Sequence, residues 1–202
     1  MNGSTNIVIT GVGGQGNVLA AKLLARTAMD QGLVVTVGDV YGLTQRGGAV
    51  ASHVRWTRGP SLPPLVPRGC LDVLVAFEPM EALRIQAEFG NDETAALVNE
   101  SPVMPIGVQA GRCTYPGEEA LWSLLVDMTG SLRRVAGSET ARSLGNIQVL
   151  NTVMLGALCA SGLTGFKAGA FEETIRRELP GRFVDMNLEA FRLGTRLSGG
   201  GG

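Results

Sequence analysis

The sequence predicts an α/β fold: a mainly parallel, Rossmann-like sheet with helices on both faces and a helical C-terminal third. Three observations lead there. Short β-branched apolar runs alternate with longer segments whose apolar residues recur at helical spacing. Two of the early runs end in glycine-rich turns, the first of which opens a helix. From about residue 138 to 197, helical spacing then takes over.

Residues 6–10 (Asn6-Ile7-Val8-Ile9-Thr10) read as a strand buried on both faces. Gly11-Val12-Gly13-Gly14-Gln15-Gly16 follows. A helix over 17–31 comes next, with Val18, Ala21, Leu24, Ala25 and Ala28 on one face and Gly32 as its stop. A second strand occupies 33–37. Asp39 comes after it and leads into Tyr41-Gly42-Leu43-Thr44-Gln45-Arg46-Gly47-Gly48. Residues 49–56 alternate, which predicts a strand with one face less buried. Pro60, Pro63, Pro64 and Pro67 predict a loop over 58–69.

Residues 71–77 form a strongly apolar strand, ended by Glu78-Pro79 and followed by a helix from Met80 to Phe89. A short strand spans 95–98, and Pro102 and Pro105 interrupt the chain beyond it. A helix over 118–128 buries Leu121, Leu124, Leu125 and Met128, and 132–135 adds a strand. Asn146 caps a long apolar helix over 147–160, closed by Gly162. Helices over 168–179 and 184–197 flank Pro180-Gly181. Residues 1–197 thus read as one domain, and Ser198-Gly199-Gly200-Gly201-Gly202 as a flexible tail.

At 202 residues with 45% hydrophobic content, the chain can bury a substantial core. No apolar run reaches the roughly 18 residues of a spanning helix. Met1-Asn2-Gly3-Ser4-Thr5-Asn6 lacks a signal-peptide pattern, so no membrane partner is expected. A formal charge of −1 with scattered basic residues excludes a nucleic-acid footprint. Cys70, Cys113 and Cys159 stand apart, which excludes a thiolate zinc or iron–sulfur box and a disulfide framework, and makes a reducing cytoplasmic setting the expectation. His53 is the single histidine, so candidates for acid–base or metal chemistry are few.

The candidate chemistry lies in the two turns. A glycine turn between strand and helix points free N–H groups and the positive end of the helix dipole at a phosphate. In the first turn the candidates are Gly11, Gly13, Gly14, Gln15 and Gly16, with Asn17 at the helix start. The pattern fits the dinucleotide fingerprint, and Asp39 stands where an acid would hold a ribose hydroxyl, so a nicotinamide-dependent oxidoreductase is one reading. Hydride transfer also needs a second region with a proton donor, and His53 fits a structural strand histidine better.

In the second turn Gln45, Arg46, Gly47 and Gly48 place a guanidinium beside two glycines, and in a parallel sheet this turn shares the strand-end edge of the first. Arginine can hold phosphate in a bidentate way while glycine amides add donors. Two such loops at one edge predict a ligand with separated phosphates, such as coenzyme A. Glu78 stands either at the edge of that crevice or as a strand-terminating acid.

The first turn together with Gln45-Arg46-Gly47-Gly48 and Ser52-His53-Val54-Arg55 resembles the gamma-type domain of the 2-oxoacid:ferredoxin oxidoreductases, over about Asn6 to Gly194. Three later stretches look like the small beta subunit of the indolepyruvate branch: Phe77-Glu78-Pro79-Met80-Glu81-Ala82-Leu83, Asn151-Thr152-Val153-Met154-Leu155-Gly156-Ala157-Leu158 and Met186-Asn187-Leu188-Glu189-Ala190-Phe191. The chain departs from that family at Tyr41, where histidine is frequent, and at Asn17, where an aliphatic residue is.

The resemblance implies oxidative decarboxylation of a 2-oxo acid to an acyl-CoA with reduction of ferredoxin. This chain would help bind coenzyme A. Thiamine diphosphate, Mg2+ and 4Fe–4S iron–sulfur clusters would belong to a larger alpha partner, through which ferredoxin is reached. Other readings are the gamma subunit of a pyruvate, ketoisovalerate or arylglyoxylate enzyme, a freestanding NAD(P)-binding oxidoreductase, or a binding module without chemistry. Leu155, Leu158, Phe171, Phe183 and Phe191 in the helical last third supply either core or subunit contacts.

Overall fold

The computed structural model describes residues 3–42, 48–103 and 115–197. Gln45, Arg46 and Gly47 of the second turn, Pro105, Cys113 and the glycine tail lie outside the described residues. Six strands are present: β1 (Thr5–Val12), β2 (Val34–Tyr41), β3 (Ala49–Thr57), β4 (Val73–Ala76), β5 (Ala95–Asn99) and β6 (Ser131–Val135). They pair in the order β2-β3-β1-β4-β5-β6. The β1–β4, β4–β5 and β5–β6 pairs are parallel, and β3 is antiparallel to both β1 and β2. Five described strands therefore point one way, which bears out a mainly parallel sheet, and β3 runs the other way, which was not expected.

The helices are α1 (Asn17–Asp30), α2 (Pro79–Phe89), α3 (Glu118–Met128), α4 (Gly137–Ser143), α5 (Leu150–Ala160), α6 (Ala168–Glu178) and α7 (Gly181–Leu197), with a 3-10 turn at Ile147–Val149. Successive strand residues face opposite layers, as the pleat requires. Ile7 and Ile9 of β1 join Val54, Val75 and Leu97 in the core under α1, α5, α6 and α7. Val8 joins Ala51, Leu74, Ala76 and Val98 in the core under α2 and α3. Helices cover both faces, as expected.

Helices α5 and α7 approach until backbone meets backbone. A β-carbon on Gly194 would lie 2.0 Å from the Val153 carbonyl oxygen, and one on Gly156 would lie 2.1 Å from the Phe191 oxygen. Among the described residues, no helix is long and apolar enough to cross a membrane.

Several elements differ from expectation. β2 runs to Tyr41 and contains Asp39, because its ladder with β3 continues through Gly38↔His53, Asp39↔Ser52 and Tyr41↔Val50. β3 is buried on both faces, since the proline-rich loop and α2 close over the side carrying His53 and Arg55. In α3, Trp122 is buried with Leu121 and Leu125, and Leu124 points outward. Asn146 caps the 3-10 turn through the Gln148 N–H at 3.0 Å, and the α-helix begins only at Leu150. The last helix starts at Gly181, immediately after Pro180. The seven-residue α4 has no counterpart in the sequence-based expectation.

Candidate active site at the carboxyl edge of the sheet

Both glycine turns open at one edge. The ladders align Gly11 with Val50 and Val50 with Tyr41, so β1 and β2 finish at the same level with the start of β3 between them. The turns also touch. The Gly13 N–H donates to the Gly48 carbonyl at 2.8 Å, and the Gly42 N–H closes the base of the β2–β3 hairpin on the Ala49 carbonyl at 2.7 Å.

The first turn is shaped as an anion cradle. Gly14 and Gly16 have φ values of 105° and 85°, which side-chain-bearing residues rarely adopt. Gly16 caps α1 without a side-chain hydrogen bond, and no acidic residue occupies the first turn of that helix. Its leading N–H groups thus lack intrahelical acceptors, and the positive dipole end is not neutralised. Among the described residues, no acceptor meets the Gly14 or Gly16 N–H. These groups border a cleft of about 420 Å³ walled by Gly13, Gly14, Gly16, Asn17, Val18, Tyr41 and Val50.

Two predicted ligand side chains turn inward instead. Gln15 Oε1 accepts from the Val12 N–H at 2.7 Å, and its Nε2 donates to the Phe77 carbonyl at 3.1 Å. Asn17 is buried, donates to the Val50 carbonyl at 3.4 Å, and leaves Oδ1 without a partner among the described residues. A β-carbon on Gly11 would stand 2.5 Å from Gln15 Oε1 and 3.1 Å from Asn17 Oδ1. Gly11 therefore makes room for these carboxamides, while Gly14 and Gly16 face the cleft.

The remaining candidates hold the frame. Asp39 accepts from the Ser52 hydroxyl at 2.5 Å. Its strand is separated from β1 by the reversed β3, whereas a dinucleotide site needs the two side by side. His53 is fully buried, accepts from the Val66 N–H at 3.2 Å through Nδ1, and meets Phe89 edge-to-face. Burial chiefly, with the nearby Arg55 charge, holds its pKa below the ordinary value and outweighs Glu88 and Asp39. Arg55 Nε donates to Asn6 Oδ1 at 2.8 Å and its Nη1 to the Pro63 and Leu65 carbonyls at 2.9 and 3.0 Å, which pins the proline-rich loop. Glu78 caps α2 by accepting from the Glu81 N–H at 2.8 Å and also accepts from the Tyr115 hydroxyl. Burial first, then Glu78, pushes the Tyr115 phenol well above its usual pKa.

This edge has the donors to hold an anion. Residues 6–197 match the family described as pyruvate ferredoxin/flavodoxin oxidoreductase. The chain belongs to that family. Its relatives include the indolepyruvate oxidoreductase subunit IorB of Archaeoglobus fulgidus, 38% identical over 189 residues, with 94% of this chain and 92% of the relative covered. Two solved structures share the fold. The keto/oxoacid ferredoxin oxidoreductase gamma subunit of Geobacter sulfurreducens has a TM-score of 0.68 at 24% identity, covering 98% of this chain and 99% of that one. The 2-oxoglutarate:ferredoxin oxidoreductase of Magnetococcus marinus, with 2-oxoglutarate, coenzyme A and succinyl-CoA bound, has a TM-score of 0.73 at 21% identity, and all of this chain covers 32% of that one. The chain is thus a small subunit of a 2-oxoacid ferredoxin oxidoreductase.

Within this oxidoreductase subunit, sequence reasoning missed Asn99, Asn151 and Tyr115. Asn99 binds the Phe77 carbonyl and Ser138, and Asn151 sits against Gly16, where a β-carbon would meet its Nδ2 at 2.6 Å. The signal for Asn99 was its place at a strand end beside the glycine edge. Asn151 opens a stretch that carries the resemblance, but neither it nor Tyr115 carries a local signal of this position, because only the fold brings them to that edge.

Proposed function

We propose that this chain is the small subunit of a thiamine diphosphate-dependent indolepyruvate (arylpyruvate):ferredoxin oxidoreductase, and that its glycine cradle holds the phosphate end of coenzyme A. The observation that carries this reading is the pair of turns joined at Gly13–Gly48, with the Gly14 and Gly16 N–H groups open to the cleft. A diphosphate suits that donor set. It needs several N–H groups without competing acid, and α1 offers them with a favourable dipole. The IorB relative supports the aryl branch, and the bound coenzyme A of the Magnetococcus enzyme supports the ligand.

Coenzyme A, when bound, supplies the thiol that accepts the acyl group. The chain's own part is to bind and orient. The N–H groups of Gly14, Gly16 and Asn17 would donate to phosphate oxygens, Gly13 stays locked to Gly48, and Tyr41, Val18 and Val50, which line the same cleft, would meet the apolar part of the carrier. Arg46 supplies a guanidinium to a second phosphate. Thiamine diphosphate, Mg2+ and the iron–sulfur clusters belong in this reading to a larger alpha subunit, which passes electrons to ferredoxin in a cytoplasmic setting.

Arg46→Ala in the purified complex tests it. A lost charge-assisted contact of about 1.5–3 kcal/mol should raise the apparent KM for coenzyme A roughly tenfold or more, with decarboxylation intact. Unchanged coenzyme A dependence would count against the assignment. Calorimetry with NAD and NADP on the isolated chain provides the contrast, since tight dinucleotide binding without a coenzyme A response would reinstate a freestanding dehydrogenase.

A further inference from the structure

Two carboxamides meet on one buried oxygen. The Phe77 carbonyl, just past β4, accepts from Gln15 Nε2 at 3.1 Å and from Asn99 Nδ2 at 3.0 Å. A carbonyl has two lone pairs, so both are used. Asn99 is fully buried and is itself fixed at the start of α4: its Nδ2 donates to Ser138 Oγ at 2.9 Å, and its Oδ1 accepts from the Ser138 N–H at 2.9 Å. A hydrogen-bonded path therefore runs from the Val12 N–H through Gln15, Phe77 and Asn99 to Ser138.

This path decides what the cradle can offer. Gln15 takes the Val12 N–H out of the donor set, Gly48 and Val12 take those of Gly13 and Gln15, and the Gly14 and Gly16 amides are left for the ligand. Gln15 also stands between Gly14 and Gly16, neither of which has a side chain to hold the loop. We propose that Gln15 and Asn99 are positioning residues, which aim the Gly14 and Gly16 N–H groups into the cleft through their common hold on the Phe77 carbonyl. The effect on coenzyme A rests on the reading of the cleft given above; the hold on the loop does not.

The test uses the full chain and two readouts. Amide hydrogen exchange over Val12 to Gly16 should quicken in Gln15→Met, which keeps side-chain length and loses both bonds. It should also quicken in Asn99→Ala, although Asn99 makes no hydrogen bond to the loop. Gln15→Glu keeps the acceptor for Val12 and loses the donor to Phe77, so quickened exchange there isolates the Phe77 arm. Calorimetric titration with coenzyme A should show affinity about tenfold weaker for Gln15→Met and about fivefold weaker for Asn99→Ala, with less than the product of the two in the double variant.

Loop exchange at the wild-type rate in Asn99→Ala overturns the positioning role. If that variant does not fold, wild-type exchange in Gln15→Glu overturns it equally. A wild-type chain that binds no coenzyme A refutes the reading of the cleft, while the exchange rates still decide the path.

Discussion

Gly14 and Gly16 both carry positive φ, and exchanging each for alanine separates two costs that usually come together. At Gly14, φ is 105° and a new β-carbon would meet nothing within 4 Å. Gly14→Ala therefore suffers backbone strain alone, about 1–3 kcal/mol. At Gly16, φ is 85° and the β-carbon would lie 2.6 Å from Asn151 Nδ2 and 3.1 Å from its Cγ. Asn151 cannot swing away freely, because its Oδ1 accepts from the Thr152 N–H at 2.7 Å and the side chain is buried. Gly16→Ala adds an overpacking cost of about 1–3 kcal/mol to a similar strain. Thermal unfolding of both variants should show Gly16→Ala the less stable, lowering Tm by about 2–4 °C more for each extra kcal/mol. The ranking should reverse for ligand affinity, since the Gly14 methyl projects into open space at the cleft. Equal losses of stability would refute the claim that Asn151 sets the space at Gly16.

Gly194→Ala should destabilise the chain by about 1–3 kcal/mol or more, measured by urea unfolding, because its methyl would collide with the Val153 carbonyl across the α5–α7 contact. Arg55→Met removes a buried guanidinium from three acceptors and should cost about 3 kcal/mol. Limited proteolysis should then find new cleavage within residues 58–69. His53 is buried with a pKa below its ordinary 6.5. The unfolded chain thus takes up a proton that the native chain refuses as the pH falls through that value. The stability involved is fully present above it and falls by about 1.4 kcal/mol per pH unit below it, until the lowered native pKa is reached. Unfolding free energies measured between about pH 7.5 and 5.5 should show this slope, and His53→Gln should flatten it.

Buried parallel strands were legible because they are continuous apolar runs, as β1 and β4 show, and both glycine turns announced themselves by composition. The reversal of β3 was not read, although its signal was there. A parallel neighbour needs a crossover of a dozen or more residues, and the stretch between Tyr41 and Ala49 is far too short for one. Alternation along β3 suggested a less buried face, yet a buried arginine and histidine can alternate just as well once loop carbonyls hold the guanidinium and a loop amide meets one imidazole nitrogen. Leu124 and Trp122 exchanged roles because neighbouring registers of one helix carry similar apolar stripes. At the site, the glycines were legible from their spacing. The direction of Gln15 was not, since a carboxamide can serve a ligand or its own loop with the same letters.

The reversed third strand also bears on how this subunit can change over time. Because β2 returns directly as β3, the stretch between Tyr41 and Gly48 hangs from a hairpin whose feet are tied at Gly42–Ala49. Doubling the length of such a loop costs only about 0.6 kcal/mol in chain entropy. Insertions or exchanges in residues 43–47 thus leave the sheet beneath as it is, and on the function proposed above they would alter the hold on the carrier.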